Sequence, residues 1–147
     1  MNALGGYDIE DLKPGMSASF GKTVTEADIL LFAGVSGDIN AIHLNEEFAK
    51  TTIFGGRVAH GMLTAGFISA VLGNKLPGPG TVYMGQNIRF LKPVRLEDTV
   101  TATVTVREIF PEKRRVVLDT VCTCGDAIVA SGEATVMVTT SKSESSV

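Results

Sequence analysis

An acid and an imidazole lie five positions apart in the stretch Ser36-Gly37-Asp38-Ile39-Asn40-Ala41-Ile42-His43. A carboxylate can take a proton from water and an imidazole can carry one at neutral pH, so Asp38 and His43 held together could work as one acid–base unit. Gly37 is a natural helix stop, and Asp38 and Asn40 favour turns, so we expect a structured loop over positions 38–43. The same residue types are common in turns that do no chemistry, and the pair alone leaves both interpretations open.

The chain has two histidines, and the second, His60, precedes the apolar run that begins Gly61-Met62-Leu63. A histidine beside a core is usually a structural residue. With Asp38 and His43, however, His60 could in principle complete a metal triad of two histidines and one carboxylate. Turnover that is indifferent to chelators would remove this alternative.

Three helices are predicted to position these residues. Thr25 and Asp28 resemble a capping box, and apolar residues follow at helical spacing as far as the glycine. Asn45 can cap a short helix over 46–50, which has acids in its first turn where the helix dipole favours them. The longest helix is predicted over 61–75, and its apolar residues cover most of its circumference, so it must be enclosed by other elements.

The remaining elements are predicted to be strands. Their patterns place them at 17–24, 81–90, 98–110, 114–124 and 127–139. Gly125-Asp126 is a two-residue hairpin signal between the last two. Helices followed by antiparallel strands indicate an α+β domain, and the economical arrangement is one curved sheet wrapped around the 61–75 helix. We expect one domain over 1–140 and a disordered tail over 141–147, which is small and polar.

Composition excludes several classes of partner. A formal net charge of -3 gives no global basic field, which argues against nucleic acid. The longest nearly apolar run, 62–72, is too short to cross a bilayer, so we expect no membrane partner. Cys122 and Cys124 would share one face of a strand, without the geometry of a disulfide or enough ligands for zinc. Reduced thiols and a cytoplasmic location are expected.

Several stretches share their residues with one family. They are the Ser36 to His43 stretch, Val58-Ala59-His60-Gly61-Met62-Leu63, Tyr83-Met84-Gly85-Gln86-Asn87-Ile88-Arg89-Phe90 and Lys92-Pro93-Val94. Their combination closely resembles the MaoC-like, (R)-specific enoyl-CoA hydratases of the hot-dog fold, over about positions 12–138. The resemblance implies a homodimer whose two sheets join edge to edge, with the active site near the interface.

The same resemblance implies reversible hydration of trans-2-enoyl-CoA to (R)-3-hydroxyacyl-CoA, without metal or organic cofactor. Asp38 and His43 become the catalytic pair, and the backbone N–H of Gly61 becomes an oxyanion-hole donor. Hydration needs an activated water, a proton delivered to C2 and a stabilised enolate, so the chemistry agrees with these roles. Which of the pair protonates C2 stays open. Asn40 matches the family pattern as an orienting residue, while its role as a turn residue is equally expected.

The resemblance also implies substrate-binding positions. Ser69 matches a position at the acyl pocket, and Leu72, one helical turn further along, could help to set the acyl chain length, although a leucine on an apolar helix is also typical of a core. His60 is expected near the substrate, supporting the helix start. Basic residues that could meet the CoA phosphates, or be merely solvated, are Arg57, Arg89, Lys92, Arg95 and the Lys113-Arg114-Arg115 turn.

Two other functions fit the same fold. A hot-dog acyl-CoA thioesterase would use the same helix end but would not require the Asp-x4-His pairing with asparagine between. A non-catalytic acyl-thioester binding or scaffold subunit would bind ligand without turnover, and the intact pair argues against it. The carrier, CoA or acyl-carrier protein, stays open, as does the pathway, which could be fatty-acid breakdown or monomer supply for a polyhydroxyalkanoate polyester.

Overall fold

The computed structural model describes residues 1–142 and contains one antiparallel sheet and four α-helices. The strands are β1 Ser17–Thr23, β2 Val82–Phe90, β3 Thr99–Phe110, β4 Arg115–Cys124 and β5 Ala127–Met137. The helices are α1 Glu26–Ser36, α2 Ala41–Leu44, α3 Glu46–Ala49 and α4 Gly61–Asn74. The spatial order of the strands is β1-β3-β4-β5-β2, with every neighbouring pair antiparallel. The predicted α+β class is confirmed.

The long helix α4 packs against the sheet and contacts β1, β2, β3 and β4. Its buried side chains are Thr64, Phe67, Ile68, Val71 and Leu72. They meet the inward-facing residues of the strands, where buried and part-exposed positions alternate along β3 and β4 as the pleat requires. This core confirms the prediction of one sheet packed around a central helix.

One face of α4 is not covered in the protomer. Met62 is 59% exposed, and Gly66, Ser69 and Gly73 are exposed at the following turns of the same helix. The expectation that other elements enclose this helix therefore holds for the face toward the sheet and not for this second face of the protomer. The apolar residues of the helix cover more of its circumference than one sheet can reach.

The start and end of α1 follow the predicted caps. The Thr25 hydroxyl accepts from the Asp28 N–H at 3.2 Å, and the Asp28 carboxylate accepts from the Thr25 N–H at 2.9 Å. Gly37 ends the helix with φ 82°, in the left-handed region that glycine adopts without steric cost. These two signals fix the point at which the chain turns toward Asp38.

The predicted loop at 38–43 is wrong in its second half, where the chain forms the one-turn helix α2. The Asn40 side chain accepts from the Ile42 N–H at 3.1 Å, which supplies the N-cap. The next helix, α3, is capped as predicted, because the Asn45 side chain accepts from the Phe48 N–H at 3.1 Å. A single turn carries no helical periodicity, which is why the pattern of apolar residues did not indicate α2.

The N-terminal segment and residues 139–141 lie together beside the sheet. Asp8 and Thr139 form an isolated bridge, and the Glu10 carboxylate accepts from the Ser141 N–H at 2.9 Å. Of the tail predicted at 141–147, positions 143–147 lie outside the described residues. No helix in the described part of the chain is long and apolar enough to cross a membrane.

Candidate active site

His43 lies on α2 and is 7% exposed. Its Nδ1 is 2.7 Å from the backbone carbonyl oxygen of Val58. A carbonyl oxygen can only accept, so Nδ1 carries the proton and donates it to this bond. The neutral ring therefore presents Nε2 as a proton acceptor, which is the form that a general base needs.

The carboxylate of Asp38 is held by the turn that begins α2. Its Oδ1 accepts from the Asn40 N–H at 3.2 Å, and the Asp38 N–H donates to Ser36 Oγ at 3.1 Å. Asn40 thus contacts Asp38 through its backbone and caps the helix that carries His43 through its side chain. This double contact fits the predicted orienting role of Asn40, which stays a prediction.

His60 packs against both members of the predicted pair. Its Nε2 donates to the backbone carbonyl of Asp38 at 2.9 Å, and its ring lies 3.9 Å from the His43 ring, centroid to centroid. Phe32 covers the ring at a centroid distance of 4.7 Å. His60 is 1% exposed, and its Nδ1 is the one buried side-chain nitrogen or oxygen within residues 1–142 without a hydrogen-bond partner.

Asp38, His43 and His60 come together as a group. One carboxylate oxygen and one ring nitrogen from each histidine lie within 4.8 Å of one another. This brings the two members of the predicted acid–base pair within reach of one shared water molecule. The same geometry keeps the metal alternative open, with His43 Nε2 and His60 Nδ1 as the nitrogens not already bonded to carbonyls. That no metal takes part stays a prediction.

Gly61 is the first residue of α4, and its N–H has no hydrogen-bond partner among residues 1–142. Free N–H groups and the positive end of the helix dipole make such a terminus suited to negative charge. A Cβ at position 61 would lie 3.0 Å from the Phe90 ring. A side chain here would therefore require the Phe90 ring to shift by a few tenths of an ångström.

A cavity of about 320 Å³ lies beside these groups and is lined by both His43 and Gly61. Most of its wall is apolar. The other lining residues are Ile42, Phe54, Val58, Ala59, Thr64, Phe90, Leu91, Lys92, Pro93, Val94 and Val129. Asp38, Asn40 and His60 adjoin His43 but do not line the cavity in the protomer.

Sequence reasoning missed most of the cavity wall. The strand pattern includes Val129 within 127–139, and no sequence signal places Phe54 at a site. The segment from Phe90 to Val94 belongs to motifs that carried the family resemblance, but nothing in the pattern placed it against Gly61. The contact that brings this segment to the site is between Phe90 and Gly61, and it exists only in the folded chain.

The two residues predicted at the acyl pocket lie further along α4. Ser69 is exposed, and Leu72 is 1% exposed within the core. Neither lines the cavity in the protomer. Their roles stay predictions.

The predicted CoA-phosphate residues differ in how far they are already engaged. Lys92 lines the cavity. Arg95 donates to the Phe54 carbonyl at 2.6 Å, and Arg57 binds Glu26 and the backbone of α2. Lys92 is therefore the best placed of the candidates for an anion at the cavity mouth.

Residues 11–125 match the family model described as MaoC like domain. The chain belongs to the MaoC-like dehydratase family.

Curated relatives and solved structures agree with this assignment. The (R)-specific enoyl-CoA hydratase of Rhodospirillum rubrum is 59% identical over 129 residues, which cover 88% of this chain and 90% of that protein. The 3-hydroxybutyryl-CoA dehydratase of Methylorubrum extorquens is 50% identical, covering 88% of this chain and 82% of that protein. The structure of the (R)-hydratase from A. caviae involved in PHA biosynthesis matches with a TM-score of 0.84 at 39% identity, covering 88% of this chain and 98% of that one. The predicted hot-dog fold is confirmed.

Proposed function

We propose that this protein is an (R)-specific enoyl-CoA hydratase, a hydro-lyase that interconverts trans-2-enoyl-CoA and (R)-3-hydroxyacyl-CoA. One observation carries the proposal: Gly61, whose helix N–H is free, and His43, whose Nε2 makes no protein hydrogen bond, line the same apolar cavity, with Asp38 beside His43. The names of the two curated relatives support it, because hydratase and dehydratase describe one reaction in its two directions.

The thioester end of the substrate is proposed to lie at the start of α4. Its carbonyl oxygen would accept from the Gly61 N–H, where the helix dipole favours the negative charge that develops as an enolate forms. The apolar walls of the cavity lower the local dielectric constant, which makes this stabilisation larger than in bulk solvent.

The water molecule is proposed to lie between Asp38 and His43. Its oxygen attacks C3 while its proton passes to the pair, and the electrons of the C2=C3 bond move into the enolate. The pair then returns a proton to C2, so that one water has been added across the double bond. Because both groups are fixed on one side of the substrate, the hydroxyl is added to a single face, which gives a single enantiomer.

The acyl chain is proposed to run along α4 from Gly61. The cavity already reaches Thr64, and Ile68 and Leu72 follow at intervals of four residues on the same stripe of the helix. A longer acyl chain would have to displace the side chains that pack beyond Thr64. We therefore retain Leu72 and Ser69 as proposed determinants of chain length, and Lys92 as a proposed contact of the CoA phosphates.

A homodimer joined through β2 is also proposed. This strand is an edge of the sheet and is exposed along most of its length, including the apolar residues Val82 and Met84. Unpaired edges of this kind readily pair with another strand. The uncovered face of α4 supports the same arrangement. Two free cysteines, Cys122 and Cys124, support the proposal of a cytoplasmic location.

The test is turnover by purified protein of enoyl-CoA esters with four, eight and twelve carbons. Loss of the conjugated absorbance reports hydration, and chiral analysis of the product reports its hand. We expect the (R) product, at a rate unchanged by EDTA. Release of free CoA faster than hydration would favour the thioesterase, and binding without turnover would favour the scaffold subunit. Loss of activity with EDTA, restored by a divalent metal, would favour the metal triad.

A further inference from the structure

Arg57, in the segment between α3 and α4, binds two separate parts of the chain with a side chain that is 14% exposed. Its two terminal nitrogens donate to the two carboxylate oxygens of Glu26, at 2.7 and 3.0 Å. Its Nε donates to the backbone carbonyl of His43 at 2.7 Å. One guanidinium therefore joins the first residue of α1 to the helix that carries the imidazole.

The carbonyl that Arg57 binds is in the last turn of α2. Carbonyl groups there lack partners within the helix, and a four-residue helix is too short to be stable by itself. The position of α2 must then be set by contacts from outside. The bidentate pair with Glu26 holds the guanidinium in one plane, which directs Nε at the His43 carbonyl.

The residue after Arg57 contacts the same histidine. The Val58 carbonyl accepts from His43 Nδ1 at 2.7 Å, and the Val58 N–H donates to the Ile42 carbonyl at 3.2 Å. Two consecutive residues thus hold His43 by its backbone and by its ring. If Arg57 moved, Val58 would move with it, and the ring would lose its orientation.

We propose that Arg57 is a positioning residue for His43, and that Glu26 serves to hold its guanidinium, an inference that rests on the proposed hydratase function. The hydrogen bond from Arg57 also lowers the pKa of Glu26 below its ordinary value. This role replaces the sequence-based expectation that Arg57 meets the CoA phosphates.

The test compares Arg57→Met, Arg57→Lys and Glu26→Gln with the matched control Arg107→Met. Arg107 also binds two carboxylates, Asp119 and Glu133, but it does so on strands of the sheet, away from His43. For each folded variant, kcat and KM are measured with crotonyl-CoA, together with the thermal midpoint.

We expect Arg57→Met to lower kcat by ~10- to ~100-fold, since small misplacements of a catalytic group have effects of this size. KM should change little, because Arg57 does not line the cavity. Glu26→Gln and Arg57→Lys should give smaller losses of kcat, and Arg107→Met should retain the kcat of the parent even if its thermal midpoint falls. A raised KM with unchanged kcat in Arg57→Met would assign Arg57 to CoA binding and overturn the proposal.

A second measurement does not depend on turnover. The Nδ1 proton of His43 should be visible by NMR in the parent protein and in Arg107→Met, since it is protected by the bond to Val58. In Arg57→Met that proton should exchange rapidly. If the Nδ1 proton stays protected in Arg57→Met, the positioning role is overturned, whether or not the parent protein is a hydratase. If the parent protein is inactive, only the proposed function is refuted. If Arg57→Met does not fold, the kinetics and the exchange of the His43 Nδ1 proton are measured in Arg57→Lys and Glu26→Gln instead.

Discussion

Backbone carbonyls decide which imidazole nitrogens can take part in chemistry. His43 uses Nδ1 to donate to Val58, which leaves Nε2 free of a protein hydrogen bond on a residue that lines the cavity. His60 uses Nε2 to donate to Asp38, and its Nδ1 is enclosed. The two rings are in contact at an interplanar angle of 31°, yet of the two residues only His43 lines the cavity. We therefore expect His43 to exchange protons with the substrate and His60 to hold the other two side chains in place.

Gly61→Ala tests the predicted oxyanion donor. The added methyl group would lie 3.0 Å from the Phe90 ring and would crowd the N–H that receives the thioester oxygen. Because loss of one oxyanion donor costs ~100- to ~1000-fold in kcat, we expect a partial block to cost at least ~10-fold.

Gly34→Ala is the matched control for this change. A Cβ at Gly34 on α1 meets no atom within 4 Å. This variant should keep its activity and gain ~0.4 to ~1 kcal/mol in the free energy of unfolding. Equal kinetics in Gly61→Ala and Gly34→Ala would remove Gly61 from the mechanism.

Leu72→Ala tests whether α4 measures the acyl chain. Removal of a buried leucine should cost ~2 to ~5 kcal/mol of stability and open space beyond Thr64 along the same stripe of the helix. We expect kcat/KM to rise for eight- and twelve-carbon esters relative to the four-carbon ester, with each accommodated methylene worth ~0.8 kcal/mol. Ser69→Ala, measured with the same three esters, tests the second proposed determinant of chain length. If all three lengths change in parallel in Leu72→Ala, the acyl chain leaves the site by another route.

The helix ends and turns that depend on neighbouring residues could be predicted from the sequence. The capping box of Thr25 and Asp28, the Gly37 stop and the Gly125-Asp126 hairpin each depend on residues close in sequence, and each appears in the structure. Helix α2 was missed because its cap, Asn40, is followed by only one turn. The Asp38 and His43 pair could be named because its members are five positions apart.

The assembly of the site could not be predicted in the same way. The His60 ring reaches the Asp38 carbonyl across 22 positions, and Phe90 meets Gly61 only after β2 has folded against α4. Contacts of this kind depend on tertiary packing, which no local pattern records. The family resemblance predicted the roles of the site residues, and the structure gives the distances between their atoms.

The acid sensitivity of α1 can be predicted from its first turn. Lys22 lies 2.5 Å from the Asp28 carboxylate, and this hydrogen bond is the largest cause that lowers the pKa of Asp28 below its ordinary value of 3.8. A carboxyl group with a depressed pKa in the folded state stabilises the fold above its unfolded pKa, and this contribution disappears as the pH falls through the folded pKa.

Asp28→Asn measures this contribution. We expect its thermal midpoint to lie below that of the parent at pH 7 and the gap to narrow only below about pH 4, as the pH falls toward the depressed pKa of Asp28 in the folded parent. Thermal melts from pH 7 to pH 3 provide the measurement. A gap of constant size across that range would mean that the carboxylate charge does not stabilise α1.

At the scale of the whole molecule, two uncovered surfaces lie next to the site. They are the β2 edge and the exposed face of α4, and both elements also supply residues of the cavity wall, Phe90 and Gly61. A partner seated on these surfaces would therefore lie close to the substrate. The proposed dimer would complete both the packing of the long helix and the enclosure of the site.

Met84→Lys tests the proposed interface. Met84 lies at the sheet edge and is 50% exposed in the protomer, so a charge there should oppose pairing of two β2 strands. Sedimentation velocity should show a dimer for the parent and a shift toward monomer for the variant, with loss of activity in parallel. Thr103→Lys, on β3 within the sheet, adds the same charge away from this edge and should remain dimeric. A dimer of unchanged strength in Met84→Lys would exclude the β2 edge as the interface.

Asp38 and His43 are proposed to act as one catalytic unit. The kcat for hydration of crotonyl-CoA, compared among variants of these two residues, reports whether they do. Asp38→Asn and His43→Gln should each lower kcat by at least ~100-fold, and the double variant should be little worse than either, because each group needs the other. His60→Gln, which can still donate to the Asp38 carbonyl, should retain measurable hydration. Near-normal turnover in folded Asp38→Asn or His43→Gln would show that the two residues do not form one catalytic unit.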